Sequence, residues 1–224
     1  SDNAFDATTN TATIAAAGLS AVKAKTSGTL TVSKAVKIVG SQAQLTKALV
    51  TDSITASTAL VTINDTAFHA TDNTATIAAT ALSGIGGATT GTVTLENKVR
   101  ISGTQSEVTT ALIGGSSVVA SQTATEAVVT NAVNASQGAA IADVSKITGI
   151  FSGGLTDSVG NLVTGVTTSA NLNTVTTEDA DINITVSDSA FHATDNTATI
   201  SAAGLSAVKA KTSGTLTVSE AVKI

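Results

Sequence analysis

Apolar and polar positions switch repeatedly between two periods along this chain. In the stretch TIAAAGLSAVKAKT from Thr13, Ile14, Leu19, Val22 and the small Ala residues recur at helical spacing, and Thr26-Ser27-Gly28 supplies a stop. Thr29-Leu30-Thr31-Val32 then alternates polar with apolar as a half-buried strand does, and Val36-Lys37-Ile38 keeps that parity. Lys34 breaks it with a charge on the inward side. Asn97 and Glu220 stand at the matching places further on, which predicts a corner or bulge between two short strands. Beyond Gly40, Gln42 to Leu49 reads as a second helical stretch. Ile54 to Ile63 reads as a second strand region, ending in a polar turn of the type AFDATTN or AFHATDN.

This alternation is a repeat. Residues 1–38 align without gaps on residues 187–224, with 33 of 38 positions identical; the differences are Asn3/Ser189, Asp6/His192, Thr9/Asp195, Ala15/Ser201 and Lys34/Glu220. AFHATDNTATI occurs unchanged at 67–77 and 190–200. A Leu-Ser-x-Val landmark begins at Leu19, Leu82, Val144 and Leu205, each followed at one distance by Gly28, Gly91, Gly153 or Gly214, so its spacings are 63, 62 and 61 residues. The expected division is a single continuous array of about three and a half units: 1–63, 64–126, 127–186 and a partial 187–224. Both ends fall inside a unit, which leads us to expect a window of a longer array. Units this small and this rich in small side chains bury too little apolar surface alone. Stacking solves that. The expected fold is therefore a repeat solenoid, β-rich with short helices, in which strand-helix coils of roughly 31 residues stack; an all-β solenoid is the alternative. Phe5, Phe68 and Phe191 are expected to anchor turns in the core.

Composition narrows the function classes. Of 224 residues 42 are Thr and 39 Ala, while Pro, Cys, Met, Trp and Tyr are absent. No disulfide framework, thiolate metal site or thiol nucleophile is available. With two His and one Arg, no constellation for acid-base or nucleophilic catalysis assembles, so the chain reads as a non-enzyme. A net charge of −5 with no basic stripe argues against nucleic acid. No apolar run is long enough for a membrane span, and the opening Ser-Asp-Asn does not read as a signal peptide.

Three polar features are candidates for chemistry. His69 and His192 each stand three residues before an Asp, Asp72 and Asp195, which gives two metal ligands where more are needed. The candidate calcium ligands are the turn carboxylates Asp65, Asp72, Asp179, Asp181, Asp188 and Asp195, beside Asp2 and Glu178; calcium takes six to eight oxygens. Against that, Asp favours turns for its own hydrogen bonding, so no cofactor is expected. The pairs Thr11/Thr13, Thr29/Thr31, Thr74/Thr76, Thr92/Thr94, Thr197/Thr199 and Thr215/Thr217 would each present two hydroxyls on one face of a strand. Such arrays resemble the ice-binding faces of Thr-rich antifreeze proteins, although Thr is also a good strand former.

The recurring LSAVKAKTSGTLTVSxAVKI, with GSQAQLTKAL or GTQSEVTTAL after it, resembles the tandem repeats of giant bacterial surface proteins, notably of cyanobacteria and other aquatic bacteria. The resemblance implies an extracellular, cell-surface location and a fibre-like or coat-like role. We therefore expect a structural repeat module of a filament, sheath, surface layer or giant adhesin, self-associating end to end with copies of itself or adjacent repeats. The alternative is a surface module binding calcium, glycan or ice.

Overall fold

The computed structural model describes residues 12–67, 75–114, 118–123, 125–188 and 199–224. They divide into two compact units, Ser1–Glu126 with Ser145–Ile147, and Ala127–Val144 with Thr148–Ile224.

The first unit opens with β1 (Thr13–Ala15), α1 (Ala16–Lys23), β2 (Lys37–Gly40) and α2 (Gln42–Leu45), which runs on as a π-helical turn, Thr46–Thr51. Next come β3 (Leu60–Ile63), β4 (Thr76–Ala78), α3 (Ala79–Gly87), β5 (Val93–Leu95), β6 (Arg100–Gly103), α4 (Gln105–Leu112) and β7 (Val118–Ala120). β8 (Thr125–Val129) follows. Five strands pair in the order β1-β2-β3-β5-β7, all parallel. β4 pairs parallel with β6 in a second sheet. Apolar rows run across the strands, such as Ile38, Val61 and Val93 in register, each at most 1% exposed. Fully buried alanines, Ala16, Ala48, Ala59, Ala79 and Ala111, let helices and strands approach closely.

The second unit contains α5 (Ala135–Ala142), all but the first residue of β9 (Ile147–Ile150), β10 (Leu155–Asp157), α6 (Val159–Leu162), β11 (Val163–Thr164), β12 (Thr167–Thr168), α7 (Ala170–Glu178), β13 (Ile184–Val186), α8 (Ala202–Lys209) and β14 (Leu216–Val218). Its parallel sheet runs β10-β13-β14, with Leu155, Ile184 and Leu216 in one row. β11 and β12 form an antiparallel hairpin.

These elements correct the expected fold. The described residues form an α/β fold with parallel sheets of five, four (β4-β6-β8-β9) and three strands, and neither the stacked-coil solenoid nor its all-β alternative describes it. The physical reason lies in the connections. Parallel neighbours cannot be joined by hairpins and need crossovers, which the helices supply. Strand register steps by 23 residues from Lys37 to Leu60 but by 32 from Val61 to Val93, where identical coils would hold one value. The strands accordingly divide among separate sheets.

Local signals place most boundaries. Ser41, Thr104 and Asn134 open α2, α4 and α5 with capping boxes completed by Gln44, Glu107 and Gln137. Lys34 lies exposed at a bend where Val36 N–H donates to its carbonyl at 2.8 Å, which is the expected corner. The helical spacing from Thr13 starts too early, since Thr13-Ile14-Ala15 is strand β1. Of the strand read at Thr29–Val32, the described structure keeps an isolated bridge between Thr31 and Thr55.

One repeat difference provides a natural experiment. α1 and α8 have the same eight residues, yet Ala15 gives α1 no side-chain cap, whereas Ser201 Oγ accepts Gly204 N–H at 2.9 Å. Ser201→Ala is expected to cost ~1 kcal/mol and Ala15→Ser to gain a similar amount. Urea denaturation of both variants measures it, and equal midpoints would contradict the capping account.

Candidate functional site

The turn carboxylates are helix caps supplied by the neighbouring strand. Ile63 pairs with Gly40, so Asp65, two residues on, lies beside Gln42 and its Oδ2 accepts the Gln42 N–H at 2.6 Å. Val186 pairs with Asp157, so Asp188 lies beside Val159 and accepts its N–H at 2.8 Å. Leu155 bridges to Val133, and Asp157 accepts the Ala135 N–H at 3.0 Å. Each donor is the first residue of a helix, α2, α6 or α5, where an N–H has no partner within the helix and the dipole favours a negative charge. Parallel register thus converts an Asp two residues beyond a paired residue into a cap for the previous crossover. Asp65 also binds the chain behind it, its carbonyl accepting Asn97 Nδ2 at 2.7 Å.

Asp179 and Asp181 come together at the end of α7, where Asp179 Oδ2 accepts the backbone N–H of Phe151 at 2.6 Å. Burial pushes the Asp179 carboxyl above its ordinary value and the Asp181 carboxyl adds to the rise, while the Phe151 bond opposes it. A raised folded-state value means that this group's contribution is most favourable below the ordinary 3.8 and is lost as pH climbs through the folded value. Asp179→Asn keeps an acceptor for Phe151 and removes the charge. It is expected to raise the melting temperature at pH 7, with the advantage vanishing in acid below the ordinary carboxylate range; an advantage that persists there would contradict the assignment.

Asp72 and Asp195, like His69, His192, Asp2, Phe5, Phe68 and Phe191, lie outside the described residues. Among the described residues no three His, Cys, Asp or Glu side chains are grouped as a metal site, and no helix is long and apolar enough to cross a membrane. Asp65 and Asp188 are engaged with amides, and the structure does not bring them to Asp179 and Asp181 as one ligand set.

The Thr pairs fall into two groups. Thr11, Thr74 and Thr197 lie outside the described residues; next to Thr13 and Thr76, Ala12 and Ala75 have φ of 55° and 52°, so the backbone entering those strands is not extended. Of Thr29/Thr31, Thr92/Thr94 and Thr215/Thr217, only Thr94 and Thr217 lie in strands, while Thr31 makes an isolated bridge to Thr55; Thr94 stands beside Thr62, a residue outside the pairs, and Thr217 ends a row with Thr156 and Thr185 across β10, β13 and β14. Thr62 is buried, Thr94, Thr156 and Thr185 are half-buried, and Thr217 is exposed.

A groove over the five-stranded sheet, about 450 Å³, is lined by Lys37, Thr62, Thr92, Thr94, Glu96 and Ser121 together with Leu60 and Val61. A smaller polar pocket of about 180 Å³ has Asn134, Asn161 and Asn171 around Asp157, but that carboxylate already accepts from Ala135, Ser158 and Asn161. The one Arg is also structural: Arg100 Nε donates to Glu126 Oε2 at 2.8 Å from β6 to β8.

No family model, curated protein or solved structure matches this chain.

Sequence reasoning missed a polar clasp built on the landmark glycines. Thr89 Oγ1 donates to the Ala59 carbonyl at 2.5 Å and accepts Gly91 N–H at 2.9 Å, while Thr90 N–H donates to Ser57 at 2.8 Å. Thr212, Ser213 and Gly214 repeat the arrangement on Ile182 and Ala180. The signal available is Thr-x-Gly at fixed repeat spacing, a pattern that by itself reads as a helix stop.

Proposed function

We propose that the chain is a structural repeat module of an extracellular bacterial fibre, sheath, surface layer or giant adhesin, joining end to end with copies of itself. The observation that carries this reading is where the polar side chains are used. The carboxylates of Asp65, Asp157 and Asp188 hold helix starts on adjoining segments, and the hydroxyls of Thr89, Thr212 and Ser152 hold carbonyls of the preceding segment. Side chains that elsewhere do chemistry here join one stretch of chain to the next. Near-identity of the first and last 38 residues fits such a part, since a module joined to another like it needs no new interface. Among the described residues β1 and β14 end their sheets, and strands so placed are templates for association. Sedimentation velocity tests the reading: concentration-dependent assembly is expected, and a chain that stays monomeric up to its solubility limit overturns it.

The row Thr156–Thr185–Thr217 favours a second reading, a surface module holding ice, glycan or calcium on outward Thr or Asp rows. An ice-recrystallisation assay, together with melts in calcium and in chelator, separates the two. No inhibition and no shift removes the second.

A further inference from the structure

Asparagine is concentrated where the repeat diverges. Six of the chain's 12 Asn fall in residues 127–186, the unit least like the others. Three of them, Asn134, Asn161 and Asn171, line the pocket of about 180 Å³ at Asp157, together with Ser136 and the buried Ala135. All lie within the second unit. The bonds that hold these groups leave part of each side chain unused. Asn134 Oδ1 accepts Gln137 N–H at 2.8 Å as the cap of α5, while its NH2 donates to nothing among the described residues. Asn161 Nδ2 donates to Asp157 Oδ1 at 2.7 Å, which leaves Asn161 Oδ1 as an acceptor. Asp157 Oδ1 also accepts Ser158 N–H, and Oδ2 accepts only Ala135 N–H, so Oδ2 keeps a lone pair. The side chains of Asn171 and Ser136 are exposed and have no partner among the described residues. Capping does not require this arrangement. At the matching cap of α2, Ser41, Gln42 and Ala43 stand where Asn134, Ala135 and Ser136 do; Ser41 completes the same capping box, and Gln42 Nε2 is taken up by Thr46. Ser and Asn cap about equally well, so the NH2 of Asn134 is surplus to the helix start.

We propose that the amides of Asn134, Asn161 and Asn171, gathered around Asp157, bind one ring of a neutral saccharide. Donors on Asn134, Asn171 and Ser136 stand with acceptors on Asn161, Asn171, Ser136 and Asp157, and hydroxyls are the groups that meet both kinds at once. An anion such as phosphate would face the Asp157 carboxylate with no Lys or Arg in the lining to offset it. A divalent cation would find a single negative charge, on a carboxylate that already accepts three N–H bonds. The volume, equal to about six waters of bulk liquid, suits one sugar ring. Little ordering remains to be done on binding, because Asn134, Asp157 and Asn161 are already fixed by their bonds to the protein. The contact is made by amides rather than by Thr or Asp rows, and it stands or falls independently of self-association.

Saturation-transfer NMR tests the site on the full-length chain. It observes the sugar, so it reads binding whether or not the chain assembles. The probes are the methyl glycosides of glucose, galactose and mannose, with N-acetylglucosamine, each in chelator and up to about 100 mM. Saturable transfer to at least one of them is expected, with a Kd of about 1–10 mM. Asn171→Ala and Ser136→Ala remove exposed side chains that bond to nothing among the described residues, so both variants are expected to melt with the unaltered chain. Asn171→Ala is expected to weaken binding about tenfold and Ser136→Ala by a smaller factor. No saturable transfer to any of the four sugars overturns the proposal. Transfer that is equally strong in Asn171→Ala places the contact elsewhere and overturns it too, as does transfer that appears only when calcium chloride replaces the chelator. None of these outcomes bears on sedimentation of the same chain, which decides self-association separately.

Discussion

Replacing Gly91 with alanine is expected to destabilise the first unit by ~3 kcal/mol or more, while the same substitution at Gly28, its repeat counterpart, changes stability by no more than about 1 kcal/mol and in the favourable direction. A Cβ on Gly91 would meet the carbonyl of Ala59 at under 3.0 Å, and that atom belongs to backbone already fixed between Thr89 and β3. Gly153 against Asn131 and Gly214 against Asp181 face the same obstruction. Relief requires the neighbouring chain to move, which would also break the Thr89 and Thr90 hydrogen bonds that hold it. At Gly28 the nearest atom outside its chain neighbours is the Thr26 hydroxyl at 3.4 Å, an ordinary contact. There alanine only reduces the freedom of the unfolded chain. Urea titration of the two variants checks the pair: a large fall in midpoint for Gly91→Ala with none for Gly28→Ala is expected, and equal small effects would mean that the close approach relaxes at little cost.

That pair also shows what the sequence could and could not convey. The spacing of the four glycines was legible, and with it the repeat, the helix stops and the polar corner at Lys34. The reason for Gly91, Gly153 and Gly214 was not, because the obstruction comes from a chain segment about 20 to 30 residues earlier whose approach depends on the register of neighbouring strands. The turn aspartates were legible as a recurring feature but their partners were not. Asp65 reaches Gln42 only because Ile63 pairs with Gly40, a fact of sheet register that periodicity does not contain. Ser41-x-x-Gln44, Thr104-x-x-Glu107 and Asn134-x-x-Gln137, by contrast, are local signals that announce three helix starts without any tertiary information. The fold class went wrong at the longest range of all. A near-constant repeat length suggested one uniform stack, whereas unequal crossovers distribute the short strands among several sheets. Even identical octapeptides, both helical as their local pattern dictates, bury opposite faces. Local sequence sets the helix, and its surroundings choose which side is core.

The strongest test of that last point is a single substitution made twice. Ile38→Ala is expected to cost about 2–5 kcal/mol, and Ile224→Ala less than about 0.5 kcal/mol, although the two isoleucines occupy the same place in a repeat with 33 of 38 identities. Ile38 is wholly buried in β2 between Ile14 of β1 and Val61 of β3, so truncation removes apolar contacts and leaves a cavity that two flanking strands prevent from collapsing. Ile224 is 69% exposed, and its truncation mainly exchanges one solvated surface for a smaller one. The contrast has a conditional form as well. Were the cost of Ile224→Ala to grow with protein concentration while that of Ile38→Ala stayed constant, the exposed isoleucine would be entering an interface between molecules. If both substitutions cost the same in dilute solution, burial assigned by neighbours would not be what distinguishes the two repeats.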